Sequence, residues 1–290
     1  MRPLTIQIYL PFGDPQGIRV AEITTRTVQV FDVPRNEIAA FFAMPEANQV
    51  AVYYLFGDEA EDRRTQCYIG QTNAVRQRFK DHLAQKAFWS RALIAVSRTN
   101  TQTDTHARYL EWRSIQRGYE ASRYALENGN AGSRPHTPAP LQAECEEIFE
   151  TIGTLLATLG FPLFQPLATA APKSTDLTVY CQRRGADAKG IYSSDGLTVF
   201  KGSTCASDPT PKATDKNLRD RRTRLLKEGT LAIEDHAIVF TRDTHFKTPS
   251  GAADVVLFTS TNGWTEWKTE TGMTLGEATG RGVNTGEGGQ

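Results

Sequence analysis

Five side chains able to move protons, neutralise anions or hold a cation gather in one stretch of the chain: Tyr53, Tyr68, Arg78, His82 and Glu111. The tyrosines belong to two short strand-like segments, Ala51-Val52-Tyr53 and Tyr68-Ile69-Gly70, and Arg78 and His82 follow four residues apart. Residues one helical turn apart project from the same side of a helix, here beside an apolar stripe of Val75, Phe79 and Leu83. Period-two alternation lets Tyr53 and Tyr68 face one side of a sheet. Two core tyrosines bonded to backbone would account for that pair alone; the Arg and His beside them make a compact polar site. Glu111 interrupts the apolar stripe Ala107, Leu110, Ile115 and Tyr119 of a later helical segment. A carboxylate on a buried face needs a partner, because an unpaired buried charge is very costly. Arg78 or Arg113, a structural ion-pair network, or a divalent cation could fill that role.

The elements that must position these groups follow from local pattern. Strands are expected at Thr5–Leu10, Ile18–Thr24 and Thr27–Val33, then a short helix from Pro34 to Met44. Val50–Phe56 and Gln66–Gln71 read as two strands joined by a charged loop. Asn73 reads as the N-cap of a helix to about Ala84. Arg91–Ser97 reads as a third strand, and a long helix runs from Asp104 or Thr105 to about Leu126. Leu141–Leu159 is a further amphipathic helix. Gln165–Ser174 is small, Pro-containing and aperiodic, the pattern of a linker. Beyond it come short strands, a basic helix at Asn217–Glu228, a helix at Pro249–Phe258, a strand at Trp264–Trp267 and a glycine-rich, disordered tail. The expected organisation is a β-rich extension over residues 1–48, a main domain over 49–164, a linker over 165–176, a small module over 177–279 and a tail over 280–290.

A chain of 290 residues suits two compact units better than one. No apolar run approaches the roughly 20 residues that span a bilayer, and the first ten residues lack the pattern of a secretory signal. Four well-separated cysteines suit a reducing cytoplasm and argue against structural zinc. Thirty-three basic and 33 acidic residues cancel. Locally, though, Arg63, Arg64, Arg76, Arg78, Lys80, Lys86 and Arg91 outnumber the acids around the site, and Lys212 to Lys227 is a second basic stretch. Both suit phosphate contacts, or are solvated helix faces.

The ordered set Ala51-Val52-Tyr53, Tyr68-Ile69-Gly70, Arg78, His82 and Glu111 within Tyr109-Leu110-Glu111-Trp112-Arg113, followed by Asn128 and Asn130, resembles the GIY-YIG nucleases over about Val50 to Asn130. Ala51 stands in place of the first Gly, and the loop Tyr54–Cys67 is long; neither departure removes a catalytic side chain. The resemblance implies an α/β domain with a three-stranded, mainly antiparallel sheet flanked by helices. It implies a phosphodiester hydrolase, an endonuclease acting on nucleic acid, with double-stranded DNA the first candidate. Tyr53 would be the general base, its pKa lowered from about 10 by the Arg and the metal. His82 would share the proton, Arg78 would neutralise phosphoryl oxygens, and Tyr68 would position water or phosphate. Glu111 would hold Mg²⁺ or Mn²⁺, and Asn128 would give a supporting polar contact. A non-catalytic nucleic-acid-binding protein on the same fold is the alternative. Phe246 to Leu275 is similar to a RAMA-type module, a suspected DNA-binding element, with Trp264 and Trp267 packed on a small sheet.

Overall fold

The computed structural model describes residues 3–58, 64–129, 132–166, 176–207, 216–234 and 236–281. The chain divides into two compact units, Met1–Pro166 and Leu167–Gln290, each mixed α/β. The expected linker and tail fall largely on 167–175 and 282–290, and these segments, with Asn130, Arg63 and Lys212, lie outside the described residues.

In the first unit β1 (Ile6–Tyr9), β2 (Arg19–Ile23) and β3 (Val28–Pro34) lead through a 3₁₀ turn into α1 (Ile38–Phe42). Then come β4 (Ala51–Gly57), β5 (Gln66–Thr72), α2 (Val75–Gln85), β6 (Trp89–Ser97), α3 (Asp104–Ala121), β7 (Ala125–Leu126) and α4 (Ala139–Thr158). The strands form one sheet of order β1-β2-β3-β6-β4-β5-β7. The expected three-stranded sheet, β5-β4-β6, is therefore the inner part of a larger one, and the N-terminal strands are not a separate layer. The reason is in the side chains: β3 pairs along its whole length with β6, from Val28↔Ser97 to Pro34↔Arg91, and its residues are buried on both faces. A strand buried on both faces must lie inside a sheet.

Alternation along β4 sends its side chains into two cores. Val52, Tyr54 and Phe56 join Ile69, Leu93 and the inward faces of α3 and α4. Tyr53 and Leu55 join Val75, Phe79, Trp89 and α1 on the opposite side. Both faces are thus covered by helices, which is why Ala51–Gly57 reads as an unbroken apolar run.

Two helices differ from expectation. α3 stops at Ala121, where Ser122 takes a left-handed conformation at φ 51°. Ala125 and Leu126 then pair parallel to Gln66 and Cys67 of β5. Their backbone groups add a strand to an edge instead of extending the helix, and hydrophobic periodicity alone does not separate these outcomes. α2 begins after Ala74, with no side-chain cap.

In the second unit β8 (Leu177–Arg183), β9 (Ala186–Ser193), β10 (Gly196–Val199), β11 (Thr204–Cys205), β12 (Leu231–Glu234), β13 (Ala237–Phe240) and β14 (Thr244–Phe246) form a second sheet. Against it lie α5 (Lys216–Lys227), α6 (Pro249–Leu257), α7 (Gly263–Glu266) and α8 (Leu275–Ala278). The expected strand at Trp264–Trp267 is the helical turn α7. Asn262 caps it by accepting from Trp264 N at 3.1 Å, and the fully buried Trp267 donates its indole N–H to Pro249 O at 3.1 Å.

Beneath the site, Tyr54 and Ser114 share a buried hydroxyl–hydroxyl bond of 2.9 Å between β4 and α3. Tyr54→Phe should lower the unfolding free energy by about 1–3 kcal/mol, the cost of leaving a buried hydroxyl without its partner. Urea titration of the full chain checks this.

Candidate active site

Tyr53 leaves the middle of β4 with its whole ring buried. Its hydroxyl has two partners from α2: His82 Nε2 at 2.6 Å and Arg78 Nε at 3.3 Å. Arg78 carries only donors, so the phenolic oxygen accepts from it; with the His82 proton on Nδ1, the phenol donates its own hydrogen to Nε2. Arg78 and His82 share a helix face because they are one turn apart, and Phe79 between them anchors that face against the Tyr53 ring, 5.0 Å away edge-on.

Gly70 faces Tyr53 across the β4–β5 pair. A Cβ at Gly70 would fall on the Tyr53 hydroxyl itself. The glycine is therefore a gap through which the phenol reaches α2. Tyr68 lies two residues earlier on the same side, its ring centroid 6.4 Å from that of Tyr53 and 5.5 Å from the His82 ring. Contacts with both tyrosines, Tyr53 first, hold the Arg78 guanidinium more firmly protonated than usual.

Glu111 approaches from α3, on the other face of the sheet. The route is open because β7 closes only part of the β5 edge. Pairing reaches Cys67, and next to it the Asn128 side chain takes the place of a strand: its Oδ1 accepts from Ile69 N at 3.0 Å and its Nδ2 donates to Ile69 O at 2.8 Å. Ile69 and Gln71, two apart, present backbone groups to the same edge. Past Asn128 the next outward amide is that of Gln71, whose N–H is near enough to the Glu111 carboxylate to favour its charged form. Asn128 thus has both ends of its amide engaged on β5; it is a positioning residue for the strand that carries Tyr68 and Gly70.

The charges are arranged asymmetrically. Burial is the main cause that raises the Glu111 carboxyl, opposed by the Gln71 amide and by the charges of Arg78 and Arg108. Among the described residues Glu111 has no ion-pair partner within salt-bridge distance. Arg113, one of the candidates, is held by Glu146 at 3.0 Å, and Arg78 bonds Tyr53. Burial also pushes the Tyr53 phenol well up, outweighing the Arg78 bond, with the negative charges of Tyr68 and Glu111 adding to it. Without a cation, removing the ring from water costs the phenolate more than one guanidinium returns, so Arg78 alone does not supply the expected depression. His82 is pushed down to about 4, first by burial and then by Arg78 and Lys86, and is neutral at pH 7.

Two further neighbours border the site. Lys86, expected only as part of the basic surroundings, stands 4.0 Å above the Tyr68 ring; its place four residues after His82 is the signal that could mark it. Gln71, which meets Glu111, simply follows Gly70 on the strand, and nothing in its type marks it. The remaining sequence-level candidates, Tyr53, Tyr68, Arg78, His82 and Glu111, are brought within electrostatic or direct contact of one another.

In comparisons with known proteins, a family described as a domain of unknown function, DUF4357, matches residues 179–279, within the second unit. No curated protein and no solved structure matches the chain.

Gly70→Ala should push the Tyr53 ring off its seat and break the 2.6 Å bond to His82. The expected result is a fold destabilised by about 1–3 kcal/mol, as for overpacked sites, and a His82 imidazole whose NMR shifts and pH titration both change as its partner moves away. An unchanged His82 titration would contradict this geometry.

Protons should also link to stability at His82. Above pH 6.5 both folded and unfolded imidazoles are neutral, and the fold keeps its full stability. Between pH 6.5 and about 4 the unfolded chain binds a proton that the folded site refuses, so stability must fall as the pH drops through that window. His82→Gln should show a shallower fall between pH 6.5 and 4 in denaturant titrations.

Proposed function

We propose that the first unit is a divalent-cation-dependent endonuclease of the GIY-YIG type, which hydrolyses phosphodiester bonds in nucleic acid, with double-stranded DNA as the substrate. In this reading β4, β5 and β6 are the family's antiparallel core. The observation that carries it is the meeting of a Tyr–His–Arg cluster with a half-buried carboxylate that has no counter-ion. That carboxylate fits a cation: among the described residues its cationic candidates are engaged elsewhere, and one acid with surrounding water and phosphate oxygens suits Mg²⁺ or Mn²⁺. Among the described residues no group of three or more His, Cys, Asp or Glu could hold a metal, so the donor set is of the sparse kind. When bound at Glu111, the cation would neutralise charge growing on the phosphate and the leaving oxygen.

The chain's own residues divide the remaining work. A water placed against the Tyr53 oxygen gives it a proton as Tyr53 passes its own to His82 Nε2. The transfer never requires a free phenolate, which burial makes costly, and the unprotonated imidazole, a weak base here, has an open nitrogen for the proton. Arg78, exposed beyond its contact with Tyr53, presents its guanidinium to two phosphoryl oxygens. Tyr68, steadied by Lys86, lines the water's side. Arg76 and Lys80 are exposed on the same helix and suit flanking phosphates.

The second unit is read as a DNA-affinity module of RAMA-like type. Lys216, Arg219 and Lys227 of α5 are exposed. Arg222 is not part of that surface: it is 2 % exposed, stacks 4.2 Å over Phe258 and donates to Ala206 O at 2.6 Å. No helix among the described residues is long and apolar enough to cross a membrane.

Purified full-length protein should nick plasmid DNA with Mg²⁺ or Mn²⁺ and stop in EDTA. Arg78→Ala, Glu111→Ala and Tyr53→Phe should each lower the rate at least about a hundredfold, as loss of an electrostatic stabiliser or proton acceptor does, with circular dichroism unchanged. DNA binding without any nicking would point to the non-catalytic alternative, and full activity of Glu111→Ala would remove the carboxylate from the mechanism.

A further inference from the structure

The Gln71 side chain has an unexplained atom. Its carbonyl oxygen, Oε1, is buried and has no hydrogen-bond partner. Buried acceptors are nearly always satisfied, so an orphan beside a candidate site asks for a ligand that supplies positive charge or a donor.

Three facts place that oxygen with Glu111. The Gln71 backbone amide favours the charged form of the Glu111 carboxylate, which puts the two residues side by side. Gln71 pairs with Val52 across the β4–β5 ladder, and Val52 belongs to the core under α3 and α4, as does Ile69. By alternation the Gln71 side chain therefore leaves the sheet on the face from which Glu111 comes. Finally, the polar groups in that neighbourhood are committed elsewhere: Tyr54 and Ser114 to each other, Asn128 to Ile69, Arg113 to Glu146. The Glu111 carboxylate and the Gln71 amide oxygen remain, both of them acceptors.

We propose that Gln71 is a second protein ligand of the divalent cation, its side-chain oxygen joining the Glu111 carboxylate. Carboxylates and amide carbonyls are the oxygen donors that hard cations select. The neutral amide adds an oxygen ligand without adding a second buried charge. Two protein oxygens leave most of an octahedral shell for water and phosphate, as Mg²⁺ prefers. The inference rests on the cation-dependent reading above.

The test is Mn²⁺ binding itself, read from the free-ion electron paramagnetic resonance signal with full-length protein and no nucleic acid. Wild type should bind Mn²⁺. Gln71→Met, of similar length but without the oxygen, should weaken binding at least about tenfold, the loss typical of removing a group that supports a metal site. Gln71→Glu, which restores an oxygen, should bind at least as tightly as wild type. In EDTA, Gln71→Met should melt no lower than wild type, since an orphan acceptor has been removed; a structural role for the amide predicts a lower melting temperature. Wild-type affinity in Gln71→Met, or equal loss in Gln71→Met and Gln71→Glu, overturns the proposal while leaving Glu111 as the cation's residue. If wild type binds no Mn²⁺ and cleaves DNA in EDTA, the cation reading fails, and this inference with it.

Discussion

The first unit is organised around a phenol that must cross a packed sheet layer and still find polar partners. Tyr53 is wholly buried, and its hydroxyl meets His82 and Arg78 only because Gly70 leaves space on the facing strand. A buried hydroxyl without partners would be costly, so β4, the Gly70 gap and the register of α2 constrain one another. Shifting α2 by one residue would rotate its partners about 100° away from the phenol. Shifting β5 by one residue would place a side chain where the gap is needed. The apolar anchor Phe79 and the polar pair Arg78 and His82 thus settle the same helix position from two kinds of interaction.

The second constraint is an incomplete edge. An exposed strand edge is ordinarily covered or blunted. Here β7 covers β5 through Cys67, Asn128 imitates one further residue of strand, and the amide of Gln71 is left to Glu111. Ending the cover at that point lets α3, packed on one face, and α2, packed on the other, bring their polar groups to one place. The early stop of α3 at Ser122 is what frees Ala125 to Asn128 to run beside β5. Helix termination far along the chain therefore shapes the mouth of the site.

Much of this was legible in the sequence, and what was not has identifiable causes. The strands bearing Tyr53 and Tyr68 and the helix bearing Arg78 and His82 announced themselves through apolar runs and four-residue spacing. Glu111 was visible as a charge interrupting an apolar stripe. The sheet's true width was hidden, because pairing of β3 with β6 joins residues about 60 positions apart and local pattern carries no register. β7 was hidden because two residues are too few for a period. α7 was mistaken for a strand because its tryptophans suit either state, and the Asn262 cap and the Trp267 bond to Pro249 decide it. The burial of Tyr53 was hidden for a different reason: residue types show which charges are near, whereas depth of burial, which raises the phenol against Arg78 alone, is a property of the packed fold.

That depth also explains why the cluster divides its labour as it does. A solvent-exposed tyrosine beside an arginine would ease toward the phenolate; the buried Tyr53 moves the other way, and burial holds His82 neutral at the same time. Both shifts favour the neutral forms, so the 2.6 Å bond joins an uncharged phenol to an uncharged imidazole. The same low polarity leaves the Glu111 carboxylate short of compensation, with Arg113 held by Glu146 and Arg78 bonded to Tyr53. An apolar residue at position 111 would match the stripe around it better. A site that tolerates an under-compensated acid beside an under-compensated amide oxygen is built at the expense of local stability. The charge that would relieve both is positive and small enough to sit between oxygens.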